Sequence, residues 1–288
     1  MDNRENPSPA VQRRRLRAEL RRARLNAGLT QDAVAAAMDW SLTKLIRIEL
    51  GLVGISANDL KALAQHYSVT DEERVAELLA LSRAAREQSW WSSHRGISRP
   101  LGMLIEYENA AYLSRHYQDL VIPGLLQTTD YMRASTRQLA PDLPAGQVDT
   151  VIEVRLKRQE LLSRPNAPLM FFVLDEAVIR RNVGGNDVMR HQMQQLVAAA
   201  DMPNVEVEVV PFAAGLVPGL QAPFVIHEFS DVSNDDVLYL ESPRGDLLSR
   251  GDADEILSYR EVFERMRRAS LGPDRTVDFL RTVIAELG

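Results

Sequence analysis

Cysteine is absent from this chain of 288 residues. Its absence excludes disulfides, thiolate metal sites and cysteine nucleophiles, and it is compatible with a reducing compartment. Long apolar runs are missing too, since no stretch approaches the ~18 apolar residues of a membrane-spanning helix. The polar, proline-bearing start over residues 1–10 lacks the apolar core of a signal peptide. We therefore expect a cytoplasmic protein with no membrane partner.

The sequence also lacks a strong compositional bias. Hydrophobic residues make up 45% and charged residues 26% of the chain, which are ordinary values for globular proteins and argue against wholesale disorder. A domain usually has roughly 100 to 200 residues, so a chain of this length suits two domains.

Charge is distributed unevenly along the chain. The formal net charge is -6, yet residues 1–69 carry 11 Lys and Arg against 7 Asp and Glu, a net +4 that leaves -10 for the remainder. Seven arginines fall between positions 13 and 24. Such clustering is typical of a surface that binds phosphate, although a solvated arginine-rich helix face is an equal alternative. The candidates for phosphate contact at the start of this cluster are Arg13, Arg14 and Arg15.

Three predicted helix starts share one signature, in which an apolar residue and a hydroxyl N-cap are followed by an apolar residue four positions later. They are Leu29-Thr30 before Val34, Trp40-Ser41 before Leu45, and Ile55-Ser56 before Leu60. A further start is predicted at Thr70, with Glu73 completing a capping box. Residues 30–50 therefore predict a helix, a tight turn at 38–40 and a second helix, which is the arrangement that offers a helix to a DNA groove.

Two segments of this region carry a specific resemblance. Residues 24–31 (RLNAGLTQ) and 45–51 (LIRIELG) resemble the Xre family of phage-repressor-type helix-turn-helix domains. The resemblance implies a five-helix domain that binds double-stranded DNA, with Gln31 on a backbone phosphate and a buried ion pair between Arg24 and Glu49. Because one such domain contacts only a half-site, we expect a homodimer.

The second helix of the pair would be the recognition helix. The resemblance places base contacts at Leu42, Thr43 and Arg47, and phosphate contacts at Ser41 and Lys44. Arg47 is the strongest candidate, because an arginine can donate two hydrogen bonds to one guanine.

Three departures from the family pattern predict weaker and less salt-sensitive DNA binding. Asp39 stands where the tight turn commonly has glycine, Leu42 and Ile46 are apolar, and the loop over residues 51–54 has no basic residue. The alternative is a helix-turn-helix kept as a protein-binding module.

Residues 101–288 mix helix and strand patterns. Helices are predicted over 104–114, 129–139, 148–163, 186–201, 254–270 and 274–287, and strands over 169–174, 205–210, 224–229 and 237–240. The predicted fold class is an N-terminal all-α five-helix helix-turn-helix domain followed by a C-terminal α/β domain with a mixed sheet. The predicted boundaries are a disordered start over 1–12, the helix-turn-helix domain over 13–69, a connector helix and linker over 70–100, and the α/β domain over 101–288. Within the linker, Trp90 and Trp91 are more typical of a docking anchor than of a platform for stacking bases.

The C-terminal segments 121–128 (VIPGLLQT), 174–177 (LDEA) and 202–205 (MPNV) resemble actinobacterial Xre regulators, a group with WhiJ-like developmental regulators and antitoxin-like members. The resemblance implies a small partner protein that is encoded by a neighbouring gene. It points to no particular catalytic reaction. Two uncharged loops, 124–128 and 215–222, could line a partner or ligand site or form ordinary turns over the core. Their candidate residues are Gly124, Leu125, Leu126, Gly215, Pro218 and Gly219.

The sequence shows none of the residue spacings that are typical of the catalytic motifs we considered. The five histidines are scattered, and no serine lies in a G-x-S-x-G motif, so we expect no metal, no cofactor and no enzyme. Asp175 and Glu176 could be a carboxylate pair at the end of a strand, but a helix cap is favoured. We predict a sequence-specific transcriptional regulator; the alternative is an antitoxin-like protein that sequesters a small partner and binds DNA only for autoregulation.

Overall fold

The computed structural model describes residues 8–51, 53–87, 97, 99–217, 222–230, 236–240, 247–250 and 253–288. These residues fall into two compact units. We call the first, which contains the helices between residues 9 and 84, the head, and the second, formed by the described residues from 99 onward, the body.

The head consists of five helices. They are α1 (Pro9–Asn26), α2 (Gln31–Ala37), α3 (Leu42–Glu49), α4 (Ala57–His66) and α5 (Glu72–Ala84). The turn between α2 and α3 passes through Asp39, whose φ of 54° lies in the left-handed region that Asp tolerates better than most residues. The core between the helices contains fully buried apolar side chains, among them Leu20, Val34, Leu45, Leu60 and Leu63.

Side-chain caps explain where α2, α3 and α4 begin. The hydroxyl groups of Thr30, Ser41 and Ser56 each accept a hydrogen bond from the backbone amide three residues later, at 3.2, 3.2 and 3.0 Å. These are the three N-caps predicted from the sequence. At the next start the prediction was wrong by one residue, because Asp71 rather than Thr70 caps α5 by accepting a hydrogen bond from the amide of Glu73.

The head is longer at both ends than predicted. Helix α1 begins at Pro9, and Ala10 and Val11 are buried. The disordered start predicted over residues 1–12 was therefore wrong for residues 9–12. Helix α5 packs against α1 and α4 and contributes Leu78 to the core. It is therefore part of the head rather than a connector. Trp90, Trp91 and most of the predicted linker lie outside the described residues.

The body contains a six-stranded mixed sheet, which agrees with the predicted fold class. Its strands are β1 (Leu113–Gln118), β2 (Leu169–Asp175), β3 (Val205–Val210), β4 (Phe224–Glu228), β5 (Val237–Leu240) and β6 (Leu247–Arg250). They are arranged in the order β3-β2-β1-β4-β5-β6. The first three run parallel to one another, and β4, β5 and β6 continue the sheet in antiparallel pairs.

Helices pack on both faces of this sheet. The described helices of the body are α6 (Arg99–Ala110), α7 (Thr129–Leu139), α8 (Ala145–Gln159), α9 (Glu176–Arg180), α10 (Asn186–Ala200), α11 (Ala253–Ala269) and α12 (Pro273–Glu286). Alternate residues of β2 point to opposite faces. Phe172 and Leu174 pack with side chains of α10 and α12, whereas Val173 packs with Phe263 and Met266 of α11.

The predicted end of one helix in the body was wrong. The helix expected over 104–114 stops at Ala110, and the chain turns into β1 at Leu113. Strand β1 was not predicted, because its buried residues include the polar Ser114, His116 and Gln118. Such a sequence has no apolar alternation by which a strand can be recognised.

Candidate nucleic-acid interface

Helix α3 presents one face to solvent and one to the core. Leu45 and Ile48 are buried, while Leu42, Thr43 and Arg47 are exposed. Within the described part of the chain, the guanidinium of Arg47 forms no hydrogen bond and no ion pair. It is therefore available to an external acceptor.

A buried ion pair fixes the position of α3. Arg24 donates from Nε to Oε1 of Glu49 at 2.7 Å and from Nη2 to Oε2 at 3.0 Å. Its third nitrogen donates to the carbonyl oxygen of Leu29 at 2.9 Å. The hydrogen bonds that Arg24 donates to Glu49 raise the pKa of Arg24 above its ordinary value. The pair ties the end of α1 and the α1–α2 loop to the end of α3.

Gln31 completes this network instead of pointing outward. Its side-chain nitrogen donates to Oε2 of Glu49 at 2.7 Å. The amide that the family resemblance assigns to a phosphate is thus engaged inside the head. In this arrangement Gln31 helps to hold Glu49.

Lys44 also has partners within the head. Its Nζ lies 3.8 Å from the centre of the Trp40 ring and 3.4 Å from Oδ2 of Asp59. Asp59 lies on α4, and its position beside Lys44 was not expected from the sequence because nothing local links the two residues. Ser41 caps the helix through the amide of Lys44, and its hydroxyl is exposed.

Part of the arginine cluster of α1 is buried in the head. Arg14 is only 2% exposed, which corrects its assignment as a phosphate contact, because a buried side chain cannot reach DNA. Arg13 donates to the carbonyl oxygen of Ala85 at 2.9 Å, at the end of α5. Arg15 is exposed. Of the three candidates, Arg15 is best placed to meet a phosphate.

The first uncharged loop of the body is a turn over the core. Leu125 and Leu126 are 1% and 0% exposed, so they do not line an open site, and Gly124 is half-buried. The side chain of Gln192 on α10 holds this turn through two hydrogen bonds of 2.7 Å. Its Oε1 accepts from the amide of Thr128, and its Nε2 donates to the carbonyl oxygen of Leu126.

The second loop is more open. Gly215 is exposed with a φ of 66°, and its neighbours Phe212 and Leu216 are 58% and 99% exposed. The turn is anchored by Glu176, whose Oε2 accepts a hydrogen bond from the amide of Phe212 at 2.7 Å. The other two candidates, Pro218 and Gly219, lie outside the described residues.

Asp175 and Glu176 both have structural roles. Asp175 caps α9 by accepting a hydrogen bond from the amide of Ala177 at 2.8 Å, as favoured from the sequence. Glu176 accepts from Nε of Arg180 at 2.7 Å in addition to its bond to the Phe212 amide. Among the residues with described positions, no three His, Asp or Glu side chains are grouped to hold a metal ion. No described helix is long and apolar enough to cross a membrane.

The fold brings together two histidines that are far apart in the sequence. The rings of His116 on β1 and His227 on β4 are 6.1 Å apart, and both side chains are buried. Nδ1 of His227 is hydrogen-bonded to the hydroxyl of Ser114 at 2.7 Å. Burial lowers the pKa of His227 to about 3, and burial and the neighbouring His227 lower the pKa of His116.

Acidification should destabilise the body through these two histidines. The unfolded chain takes up protons with a histidine pKa of about 6.5, whereas the folded chain does not. Stability should therefore fall as the pH drops below about 6.5, by up to about 1.4 kcal/mol per pH unit for each histidine. Urea unfolding at pH values of about 7.5 and 5.5 measures this loss, which should be about 1.4 kcal/mol smaller in His227→Gln.

His191, exposed on α10, offers the control. His191→Gln should keep the pH dependence of the wild-type chain. An identical pH dependence in His227→Gln and wild type would contradict a role for the buried pair.

Two family models match this chain. Residues 15–78 match a helix-turn-helix domain, and residues 101–282 match a model described as a domain of unknown function, DUF5753. No match was found among curated proteins or among solved structures. The first match begins within α1, covers α2 to α4 and ends in the middle of α5, and the second covers most of the body and more than half of the chain. The chain therefore belongs to the DUF5753 family and carries a helix-turn-helix domain at its N-terminal side.

Proposed function

We propose that this protein is a sequence-specific DNA-binding transcriptional regulator. The observation that carries the proposal is the exposed face of α3, on which Arg47 has no partner within the described residues. The buried bonds from Arg24 to Glu49 hold this helix in place, so that its exposed face is presented in a fixed orientation.

The residues of this face suit different parts of a DNA site. Arg47 can donate two hydrogen bonds to a guanine, and Leu42 and Thr43 can contact thymine methyl groups. Ser41 and Lys44, at the start of the helix, and Arg15 are the candidates for phosphate, which positions the protein without specifying sequence. Gln31 acts indirectly by holding Glu49.

A single head spans only a half-site, which supports binding as a homodimer. The resemblance of the body segments to actinobacterial Xre regulators supports placing the protein with the WhiJ-like and antitoxin-like group. A DNA-bound regulator would work in the cytoplasm. Because this resemblance implies a small partner protein, we infer that the body serves in binding rather than in catalysis.

Arg47→Ala should weaken binding to the preferred DNA site about 5-fold to 150-fold, because a two-bond arginine contact to guanine is worth about 1–3 kcal/mol of discrimination. The site is first enriched from a library of random duplexes with the full chain. Binding of wild type and variant to it is then compared by titration at one salt concentration.

Arg83→Ala is the matched control, because Arg83 is an exposed arginine on α5, outside the helix-turn-helix pair. It should bind within about 2-fold of wild type. Equal affinities of Arg47→Ala and wild type for the enriched site would overturn the assignment of Arg47. Failure of the wild-type chain to enrich any sequence would overturn the proposed function.

A second candidate is an antitoxin-like protein that mainly binds a small partner. The exposed Phe212 and Leu216 favour it, since they place two large apolar side chains on one anchored turn, where a partner protein would bury them. Co-purification of the chain with the product of a neighbouring small gene, lost on Leu216→Ser, would support this candidate.

A further inference from the structure

Asp59 is the acidic partner of a lysine on the recognition helix. It lies 15 residues after Lys44, in the first turn of α4, and its Oδ2 is 3.4 Å from the lysine Nζ. We propose that Asp59 competes with DNA phosphate for Lys44 and thereby sets the strength and the salt dependence of DNA binding. This inference rests on the proposed function, because it assumes that α3 faces DNA.

The place of Lys44 in α3 makes it a phosphate ligand. Lys44 is in the first turn of the helix, and its amide is the one capped by Ser41. In helix-turn-helix proteins the first turn of the recognition helix is the part that meets DNA. A flexible lysine there can reach a phosphate as a point charge.

The ion pair is open to exchange. The side chains of Lys44 and Asp59 are 41% and 36% exposed, so a DNA phosphate can approach either of them. Exposed ion pairs contribute little to stability, and phosphate can therefore displace the carboxylate. Until it does, the carboxylate and the Trp40 ring hold the ammonium group against the surface of the head.

Asp59 is not needed to cap its own helix. The cap of α4 is Ser56, whose hydroxyl accepts a hydrogen bond from the Asp59 amide at 3.0 Å. That bond uses the Asp59 backbone and is kept when the carboxylate is replaced. The carboxylate contributes only the ordinary weak attraction of an acidic group to the start of a helix.

The loss of one phosphate contact matters in this head because few others are available. Arg47 is the cation on α3 without an acidic neighbour among the described residues, and the loop after α3 is uncharged in sequence. Arg22 of α1 is paired with Glu19 at 2.6 Å. Each phosphate contact adds about 0.9 to the salt-dependence slope, so freeing Lys44 changes a small total by a measurable fraction.

The test uses the full chain and a duplex of arbitrary sequence, about 30 base pairs long, titrated by fluorescence anisotropy between about 50 and 200 mM KCl. Asp59→Asn should bind about 3-fold to 10-fold more tightly at the lowest salt, and its slope of log affinity against log salt should be steeper by part of the roughly 0.9 that one phosphate contact contributes. Lys44→Gln should flatten the wild-type slope by the remaining part. In the Lys44→Gln background, Asp59→Asn should have no further effect.

Glu72→Gln is the matched control, since Glu72 is an exposed acid in the first turn of α5 and its replacement removes the same charge. If Asp59→Asn and Glu72→Gln tighten binding equally, only net charge matters and the inference is overturned. It is also overturned if the gain from Asp59→Asn persists without Lys44, because the carboxylate would then repel DNA directly. Binding by wild type with no gain in Asp59→Asn overturns the inference alone, whereas absence of DNA binding by every chain overturns the proposed function itself. Circular dichroism confirms that each variant is folded.

Discussion

Glu49→Ala should lower the free energy of unfolding of the head by about 3–5 kcal/mol, which is the usual cost of removing one partner from a buried ion pair. Arg24 would remain as a buried charge with 7% of its surface exposed, and Gln31 would lose its acceptor. Hydrogen exchange measured by mass spectrometry reports the head separately from the body. The amides of α2 and α3 should lose protection while those of the sheet keep it.

Two further variants separate charge from packing. Glu49→Gln keeps one acceptor for Arg24 but removes the charge, and should be destabilised less than Glu49→Ala. The double variant Arg24→Met with Glu49→Leu replaces the pair by apolar groups and should recover much of the loss, because no unpaired charge is left. Wild-type exchange rates in Glu49→Ala would show that the pair does not hold α3.

Gln192→Leu should destabilise the body by up to about 6 kcal/mol, since the buried carbonyl of Leu126 and the part-buried amide of Thr128 lose their partners at up to about 3 kcal/mol each. Gln192 is fully buried. Its side chain accepts a hydrogen bond from the amide of Thr128 and donates one to the carbonyl of Leu126, as the backbone of a neighbouring strand would. Leucine has a similar volume but no polar atom. Urea unfolding of the full chain, with exchange over residues 122–128, measures the effect.

Gln195→Leu is the control for this substitution, because Gln195 lies on the same helix with its side chain exposed. It should change the unfolding midpoint little. If Gln192→Leu were as stable as Gln195→Leu, the two hydrogen bonds of Gln192 would not be needed for the stability of the body.

Local signals explain which parts of the head were predictable. The caps at Thr30, Ser41 and Ser56 act on amides only three residues away, so their pattern is visible in the sequence. The tight turn at Asp39 lies between two such signals. The pair of Arg24 and Glu49 spans 25 residues and was accessible only through the family resemblance.

Contacts between distant segments explain what was missed. The burial of Arg14 and the bond of Arg13 to Ala85, 72 residues away, cannot be seen in a run of arginines. Strand β1 was missed because its polar Ser114 is satisfied by His227, which lies 113 residues further along. Lys44 and Asp59 sit on two helices whose packing angle is set by the whole core of the head.

The strand order of the sheet has a consequence for how the chain folds during its synthesis. The head contains mainly neighbouring helices, so it can fold soon after it leaves the ribosome. Central strand β1, by contrast, must wait for its partner β4, since Leu113 pairs with Glu228. At about 5–20 residues per second, that delay is about 6–23 s. During this interval the apolar surface of the half-built sheet is open to chaperones and to aggregation, while the head is already native.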